Sequence, residues 1–308
     1  MFSTSFKIAL IILFAFLFRF LRVFKEGDEK IFNAYVYYIA LPSFLLLELN
    51  RLPLKSETFV ITAVIILSTM LSLLVYLVFR FFLRFSTKWF VILSLSTAFG
   101  STAFFGIPFV SFAYPNPSSL QLTALVASVS GIVGLTTVLF LLELEKARSS
   151  SIFKVFLALL KRLSKNPLII SILLGFFSNI LRIEIKGFVF EALSMFAKST
   201  AIMAIFMLGL FLYGRNYRII AKGIFLSLPR ILLLPAITFL IARFFGLAGD
   251  ALKIVVLLQA MPVAITMITI TQKYEFEEEL FANVVMVSSL SALFYLNVIK
   301  LLLEALKV

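Results

Sequence analysis

Long apolar runs follow one another along the whole chain, separated by short polar connections. The hydrophobic pattern predicts ten membrane spans, at residues 5–24, 30–50, 58–83, 89–114, 119–143, 166–184, 187–213, 222–245, 249–272 and 277–303. A helix needs about 20 mainly apolar residues to cross a bilayer. We therefore expect an all-α integral membrane protein in which little of the chain is left for a soluble domain.

The ten predicted spans divide into two sets of five. Residues 1–143 form the first set, residues 144–165 a linker, and residues 166–308 the second set. Span centres in the second set follow those in the first by about 160 residues, and a unit with an odd number of spans must insert upside down when it is duplicated. The spacing therefore predicts two inverted five-helix repeats, which in transporters place the binding site at broken helices near the midplane.

The linker is the longest polar stretch of the chain. Within it, Ile152, Phe156, Leu159 and Leu163 recur at helical spacing with basic residues between them. This pattern predicts a basic amphipathic helix on the membrane surface, or else a site for a soluble partner. Most Lys and Arg residues fall in the connections on the linker's side, which is therefore predicted to be cytoplasmic. Both termini are then expected outside the inner (plasma) membrane.

Composition narrows the possible functions. Hydrophobic residues make up 62% of the chain and charged residues 14%, and the chain contains neither Cys nor His. Disulfides, thiolate or imidazole metal sites and Ser–His or Cys–His nucleophiles are therefore excluded. We expect no enzyme activity, no metal and no other cofactor. The formal charge of +13 is interpreted as topology and lipid contacts rather than as nucleic-acid binding.

Two spans carry helix-breaking residues at corresponding places. Span four contains Gly100, Gly106 and Pro108, and span nine contains Pro262. Proline removes an N–H donor and clashes with the preceding turn, and lipid cannot satisfy a freed backbone group. The alternative is a pair of ordinary proline kinks, but their matching positions in both halves favour a functional interpretation.

Interrupted helices expose N–H groups and positive dipole ends, which suit a carboxylate. Hydroxyl and amide groups beside the breaks would add donors. The predicted substrate-binding residues are Gly100, Ser101, Thr102, Gly106, Ile107, Pro108, Ser130, Gln259, Ala260, Met261, Pro262 and Val263. Charges inside spans are functional candidates by default. Lys198 in span seven is a candidate pathway charge, and Arg230 lies inside span eight.

Seven short motifs are distributed over the whole chain, namely ALP at 40–42, STAFGSTAFFGIP ending at Pro108, FLLELEKAR at 140–148, KNP at 165–167, MAIFMLGLF at 203–211, LQAMP at 258–262 and QKYEFEEEL at 272–280. Together these motifs resemble the auxin efflux carrier family. Two positions depart from the family pattern. Ser101 stands where members commonly have asparagine, and Lys198 stands where plant members have an acidic residue.

The resemblance implies ten helices in two inverted units, with helices that cross at Pro108 and Pro262. It also implies a homodimer formed through scaffold spans one, two, six and seven, while spans three to five and eight to ten move in an elevator mechanism. The implied substrates are small organic carboxylates, either auxin-like or dicarboxylates such as malate and malonate.

Two other functions remain open from the sequence. The first is a sodium-coupled organic-anion symporter of the bile-acid type, whose fold resembles the one expected here. In that case Gln259, Thr266 and Thr269 are candidate cation ligands. Sodium-dependent uptake would distinguish that symporter from an uncoupled carrier. A membrane receptor or structural membrane protein belongs to a different class, and neither of these predicts matched helix breaks.

Overall fold

A computed structural model describes residues 3–82, 84–146, 152–214 and 220–306 of the chain, and all regular elements in these ranges are helical. The helices, in chain order, are α1 Ser3–Phe20, α2 Glu29–Tyr35, α3 Leu41–Asn50, α4 Ser56–Phe82, α5 Thr87–Ala98, α6 Ile107–Ala113, α7 Pro117–Lys146, α8 Ile152–Leu163, α9 Pro167–Ile180, α10 Gly187–Leu212, α11 Ile220–Leu228, α12 Leu234–Phe244, α13 Gly249–Gln259, α14 Thr266–Tyr274 and α15 Glu278–Ala305. The segments Val36–Ala40, Thr102–Gly106 and Pro229–Leu233 are π-helical.

Within the described ranges, six helices are long and apolar enough to cross a membrane. They are Glu29–Asn50, Ser56–Phe82, Pro117–Lys146, Gly187–Leu212, Ile220–Phe244 and Glu278–Ala305, which correspond to predicted spans two, three, five, seven, eight and ten. Thr102–Ala113 and Pro167–Ile180 are shorter apolar helices. The all-helical, membrane-spanning class is therefore confirmed, whereas the ten-span inverted repeat stays a prediction.

The chain forms two compact units, each built from segments that are distant in sequence. The first unit comprises Met1–Leu54, Ala103–Ser128 and Lys165–Asn216. The second unit comprises Lys55–Thr102, Val129–Ser164 and Tyr217–Val308. The division therefore falls inside predicted spans four and five, and it does not follow the order of the two predicted repeats.

In the first unit, α1 packs on α10, and α3 packs on both α9 and α10. The ends of α3 and α9 are joined by two asparagines. The Asn179 side-chain amide donates to the carbonyls of Leu49 (2.6 Å) and Leu52 (2.7 Å). The Asn50 amide donates in turn to the Ser178 hydroxyl and the Ile183 carbonyl, both at 2.8 Å. These amides pair carbonyls that a helix end leaves without intrahelical partners.

In the second unit, α4 packs on α5 and α12, and α11 packs on α15. Apolar side chains from six of its helices and from the irregular segment after α13 form one buried cluster, which includes Leu95, Val138, Val263, Phe281 and Val285. This cluster surrounds the interrupted segment of span nine with packed side chains. The irregular backbone is therefore enclosed in protein, as membrane depth requires.

The predicted linker contains helix α8, and residues 147–151 and the side chains of Ile152 and Phe156 lie outside the described residues. Leu159 is buried against Leu139 of α7. Arg162 donates to the Tyr274 hydroxyl and forms an ion pair with Glu143 at 3.0 Å. The last turns of α8 therefore contact α7 and α14 of the second unit. A position of α8 on the membrane surface stays a prediction.

Candidate functional site

Both spans that the sequence marks for interruption are discontinuous in the structure. Helix α5 ends at Ala98, and helical structure resumes at Thr102. Helix α13 ends at Gln259, and α14 begins at Thr266. Pro262 lies within the second gap, but Pro108 lies in the first turn of α6. Because the π-helical segment Thr102–Gly106 continues directly into α6, Pro108 lies inside the helical segment Thr102–Ala113, and the gap in span four comes before its proline.

The two gaps pair with each other through their backbones. The Ser101 N–H donates to the Pro262 carbonyl at 2.7 Å, and the Ala264 N–H donates to the Phe99 carbonyl at 3.0 Å. Gly100 and Val263 thus form an antiparallel bridge. This pairing, which we call the crossing, comprises Phe99–Ser101 and Pro262–Ala264. It satisfies backbone groups that would otherwise be orphaned in an apolar interior.

Arg230 holds the ends of the helices that lead into the crossing. Its guanidinium donates from Nη1 to the Thr97 carbonyl at 2.8 Å and from Nε to the Met261 carbonyl at 2.9 Å. A longer bond of 3.4 Å joins Nη2 to the Leu258 carbonyl. Arg230 is 1% exposed. The sequence identified it as an intramembrane charge, but nothing in the sequence connected it to the crossing.

Gly100 makes room for this guanidinium. A Cβ atom built on Gly100 would overlap Nη2, Cζ and Nε of Arg230. The space beside Gly100 is therefore filled by a side chain of the protein, and this gives Gly100 a packing role at the crossing.

Gln259, at the end of α13, joins three helices through its side chain. The Ser130 hydroxyl of α7 donates to Gln259 Oε1 at 3.1 Å. Gln259 Nε2 donates to the Ser68 hydroxyl of α4 at 3.4 Å. The structure thus brings together the predicted residues Ser130 and Gln259 and adds Ser68, which no sequence motif distinguished.

Other side chains stabilise the irregular segment after α13. The Tyr295 hydroxyl donates to the Ala260 carbonyl at 2.9 Å, and the Val263 N–H donates to the Ser288 hydroxyl at 3.2 Å. Both residues belong to α15, so this helix binds the irregular segment through two hydrogen bonds. Sequence reasoning missed both, because hydroxyls in apolar helices are most often ordinary packing contacts.

Ser101 differs from these hydroxyls. Its side chain is 3% exposed, and among the described residues its Oγ has no hydrogen-bond partner. The neighbouring Thr102 is also buried. A buried hydroxyl with no partner among the described residues is able to bind a water or a ligand. Ser101 is therefore a candidate ligand-binding residue of the crossing.

The remaining predicted residues belong to the first unit. Gly106, Ile107 and Pro108 are buried where the π-helical segment leads into α6. Lys198 lines a cavity of about 440 Å³ in this unit, and Ile107 forms part of the same wall.

Charged and polar side chains from three helices line this cavity. Arg51 and Glu48 reach it from the end of α3, Lys198 from α10 and Gln121 from α7. The Arg51 guanidinium lies 3.9 Å from the centre of the Phe190 ring. Two cations thus face one carboxylate, and the cavity has a net positive character that favours anions.

No group of three or more acidic residues with metal-binding geometry occurs in the described part of the chain. The expectations that the protein binds no metal or other cofactor stay predictions.

We predict that Gly100→Ala destabilises the protein by about 2–4 kcal/mol, because the displaced guanidinium would leave buried carbonyls unpaired. Thermal unfolding of the purified protein in detergent measures this effect. Gly131→Ala is the matched control, since a Cβ at Gly131 of α7 would meet nothing within 4 Å. Equal unfolding temperatures for the two variants would contradict the packing role of Gly100.

Comparison with known proteins identifies the family. A family described as membrane transport protein matches residues 1–300. A relative is an uncharacterized transporter of Methanocaldococcus jannaschii, which is 24% identical over 293 residues that cover 92% of this chain and 92% of that protein. The chain belongs to the membrane transport protein family, which includes the auxin efflux carriers that its motifs resemble.

Proposed function

We propose that this membrane transporter is a secondary carrier of small organic carboxylates, either auxin-like or dicarboxylates such as malate and malonate, and that it binds them at the crossing. The observation that carries this proposal is the buried Ser101 hydroxyl, which has no hydrogen-bond partner in the described ranges and lies at the point where two interrupted spans meet. A carboxylate is a strong acceptor for such a donor.

The backbone beside Ser101 supports the same ligand chemistry. Helical segments Thr102–Ala113 and Thr266–Tyr274 both begin next to the crossing. The N-terminal end of a helix dipole is positive, and in α14 the Met267 and Ile268 N–H groups already donate to the Ala264 and Ile265 carbonyls. These ends bind an anion without a dedicated cation, and the second amide hydrogen of Gln259 is a further donor.

The cavity of the first unit supports an anion pathway. Arg51 and Lys198 raise the local concentration of anions, because these two cations line the cavity together with a single carboxylate, Glu48. Lys198 is thus a pathway charge in this cavity, which is the role proposed for it from the sequence.

We further propose ten spans in two inverted repeats and an elevator mechanism. Spans one, two, six and seven form a scaffold that also makes a homodimer, and spans three to five and eight to ten carry the substrate. The composition of the compact units supports this division, since the first unit holds the helices of spans one, two, six and seven. It departs from the division in one segment, Ala103–Ser128, which groups with those spans. Both termini lie outside the plasma membrane in this proposal.

Transport of carboxylates is tested with the purified protein in liposomes. We expect counterflow of a labelled carboxylate from a panel of mono- and dicarboxylates, with and without sodium, and we expect the transported compound to raise the unfolding temperature by mass action. Uptake that requires sodium would support the bile-acid-type symporter instead. Absence of counterflow for the whole panel would contradict carboxylate transport.

Ser101→Ala is expected to raise the half-saturation concentration of the transported carboxylate about tenfold, because one charge-assisted hydrogen bond is lost. Thermal stability should stay nearly unchanged, since the hydroxyl has no partner within the described protein. Ser94→Ala is the matched control, because Ser94 of α5 is also buried and unpartnered among the described residues. The same loss of affinity in both variants would argue against ligand binding at Ser101.

Lys198→Gln is expected to weaken transport of dicarboxylates about fivefold more than transport of monocarboxylates, because the second negative charge loses its nearby cation. Counterflow half-saturation with one compound of each class measures this ratio. Lys222→Gln, at an exposed position of α11, controls for a change in net charge. An equal effect on mono- and dicarboxylates would contradict the proposed role of Lys198 as a pathway charge.

A further inference from the structure

Arg230 is deeply buried and has no carboxylate partner within the described part of the chain. It is the least exposed charged side chain among the described residues, and it forms no ion pair there. A guanidinium stays charged in proteins, and a buried charge is costly unless it is paired. Its counter-charge is therefore supplied by the backbone carbonyls that accept its hydrogen bonds.

These carbonyls belong to the negative ends of two helices. The Thr97 carbonyl lies in the last turn of α5, the Leu258 carbonyl lies in the last turn of α13, and the Met261 carbonyl follows in the irregular segment. The last carbonyls of a helix lack intrahelical partners and carry its negative partial charge. Arg230 thus neutralises two helix C-termini at once.

The position of Arg230 in the chain is suited to this role. It lies in the π-helical segment Pro229–Leu233 between α11 and α12. Widened turns of this kind occur often at functional sites. Gly100 leaves the space in which the guanidinium lies. The π-helical turn thus presents the cation, and the glycine provides the room for it.

In transporters built from inverted repeats, unwound carbonyls and the C-terminal ends of half-helices coordinate the coupling cation. Here the guanidinium occupies such a group of carbonyls. We propose that Arg230 is a built-in substitute for a coupling cation, so that transport needs no sodium, and that removal of its side chain opens a site for a small monovalent cation among the carbonyls of Thr97, Leu258 and Met261. This inference rests on the proposed transport function for its consequence, but the cation site itself does not.

The proposal assigns distinct roles to the two kinds of helix end. The C-terminal ends are permanently neutralised by Arg230, and the N-terminal ends beside Ser101 remain available to an anion. A mobile sodium ion would have to compete with a tethered cation that makes three hydrogen bonds. The tethered guanidinium has the advantage, because its effective concentration at the site is fixed by the chain.

The test compares thermal unfolding of the wild type and Arg230→Ala in chloride salts of sodium, lithium, potassium or choline at equal ionic strength. We expect the wild type to unfold at the same temperature in all four salts. Arg230→Ala should unfold at a lower temperature in choline and recover by about 3 °C or more in one of the metal ions, with saturation, as mass action requires. Arg243→Ala, at an exposed position of α12 in the same span, should show no specific response to any cation.

Two further variants separate charge from packing. Arg230→Lys keeps a tethered cation and should respond to salt like the wild type, whereas the neutral Arg230→Gln should respond to small cations like Arg230→Ala. If Arg230→Ala does not fold, Arg230→Gln takes its place. Destabilisation of the neutral variants without recovery in any cation would overturn the proposal and leave Arg230 as a helix-capping residue.

Transport by the wild type provides an independent test. Counterflow in sodium and in choline media should agree within about twofold, and a strict requirement for sodium would overturn the proposal. The two proposals can fail separately, because the thermal measurement needs no substrate. Cation-specific recovery of Arg230→Ala together with no carboxylate counterflow would contradict the proposed function and support the cation substitute.

Discussion

The satisfaction of backbone hydrogen bonds at two interrupted helices is the constraint on which the rest of this structure depends. A bilayer offers no water to an exposed N–H or carbonyl, so each freed group must find a partner in the protein. The crossing meets this requirement with the bonds from Ser101 to Pro262 and from Ala264 to Phe99. Arg230, Tyr295 and Ser288 bind further backbone groups around it.

This constraint also explains the packing around the crossing. In the second unit, side chains of α4, α5, α7, α11, α14 and α15 form the buried apolar cluster that includes Val263 of the bridge itself. Gly100 is required for the close approach of Arg230 rather than for conformational freedom. Irregular backbone at membrane depth is stable here because packed protein side chains, rather than lipid, surround it.

The electrostatics of the helix ends connects this architecture to transport. Each interruption produces one negative and one positive helix end. The negative ends of α5 and α13 bind the Arg230 guanidinium, and the positive ends lie beside a buried hydroxyl that lacks a partner in the described protein. In the proposed function an anionic substrate binds beside the positive ends, because the negative ends already have the Arg230 guanidinium as their partner.

The sequence by itself determined the membrane class, most helix positions, the transporter family and which two spans are interrupted, because hydrophobic run length and helix breakers act locally along the chain. It placed Ser130 and Gln259 among the candidates but gave no reason for their direct contact. Only the tertiary structure decided that the gap in span four precedes Pro108 and that Arg230 fills the space beside Gly100. Arg230 and Thr97 are more than a hundred positions apart in sequence, and their contact depends on how α5, α13 and the π-helical turn pack in three dimensions, which no local pattern encodes.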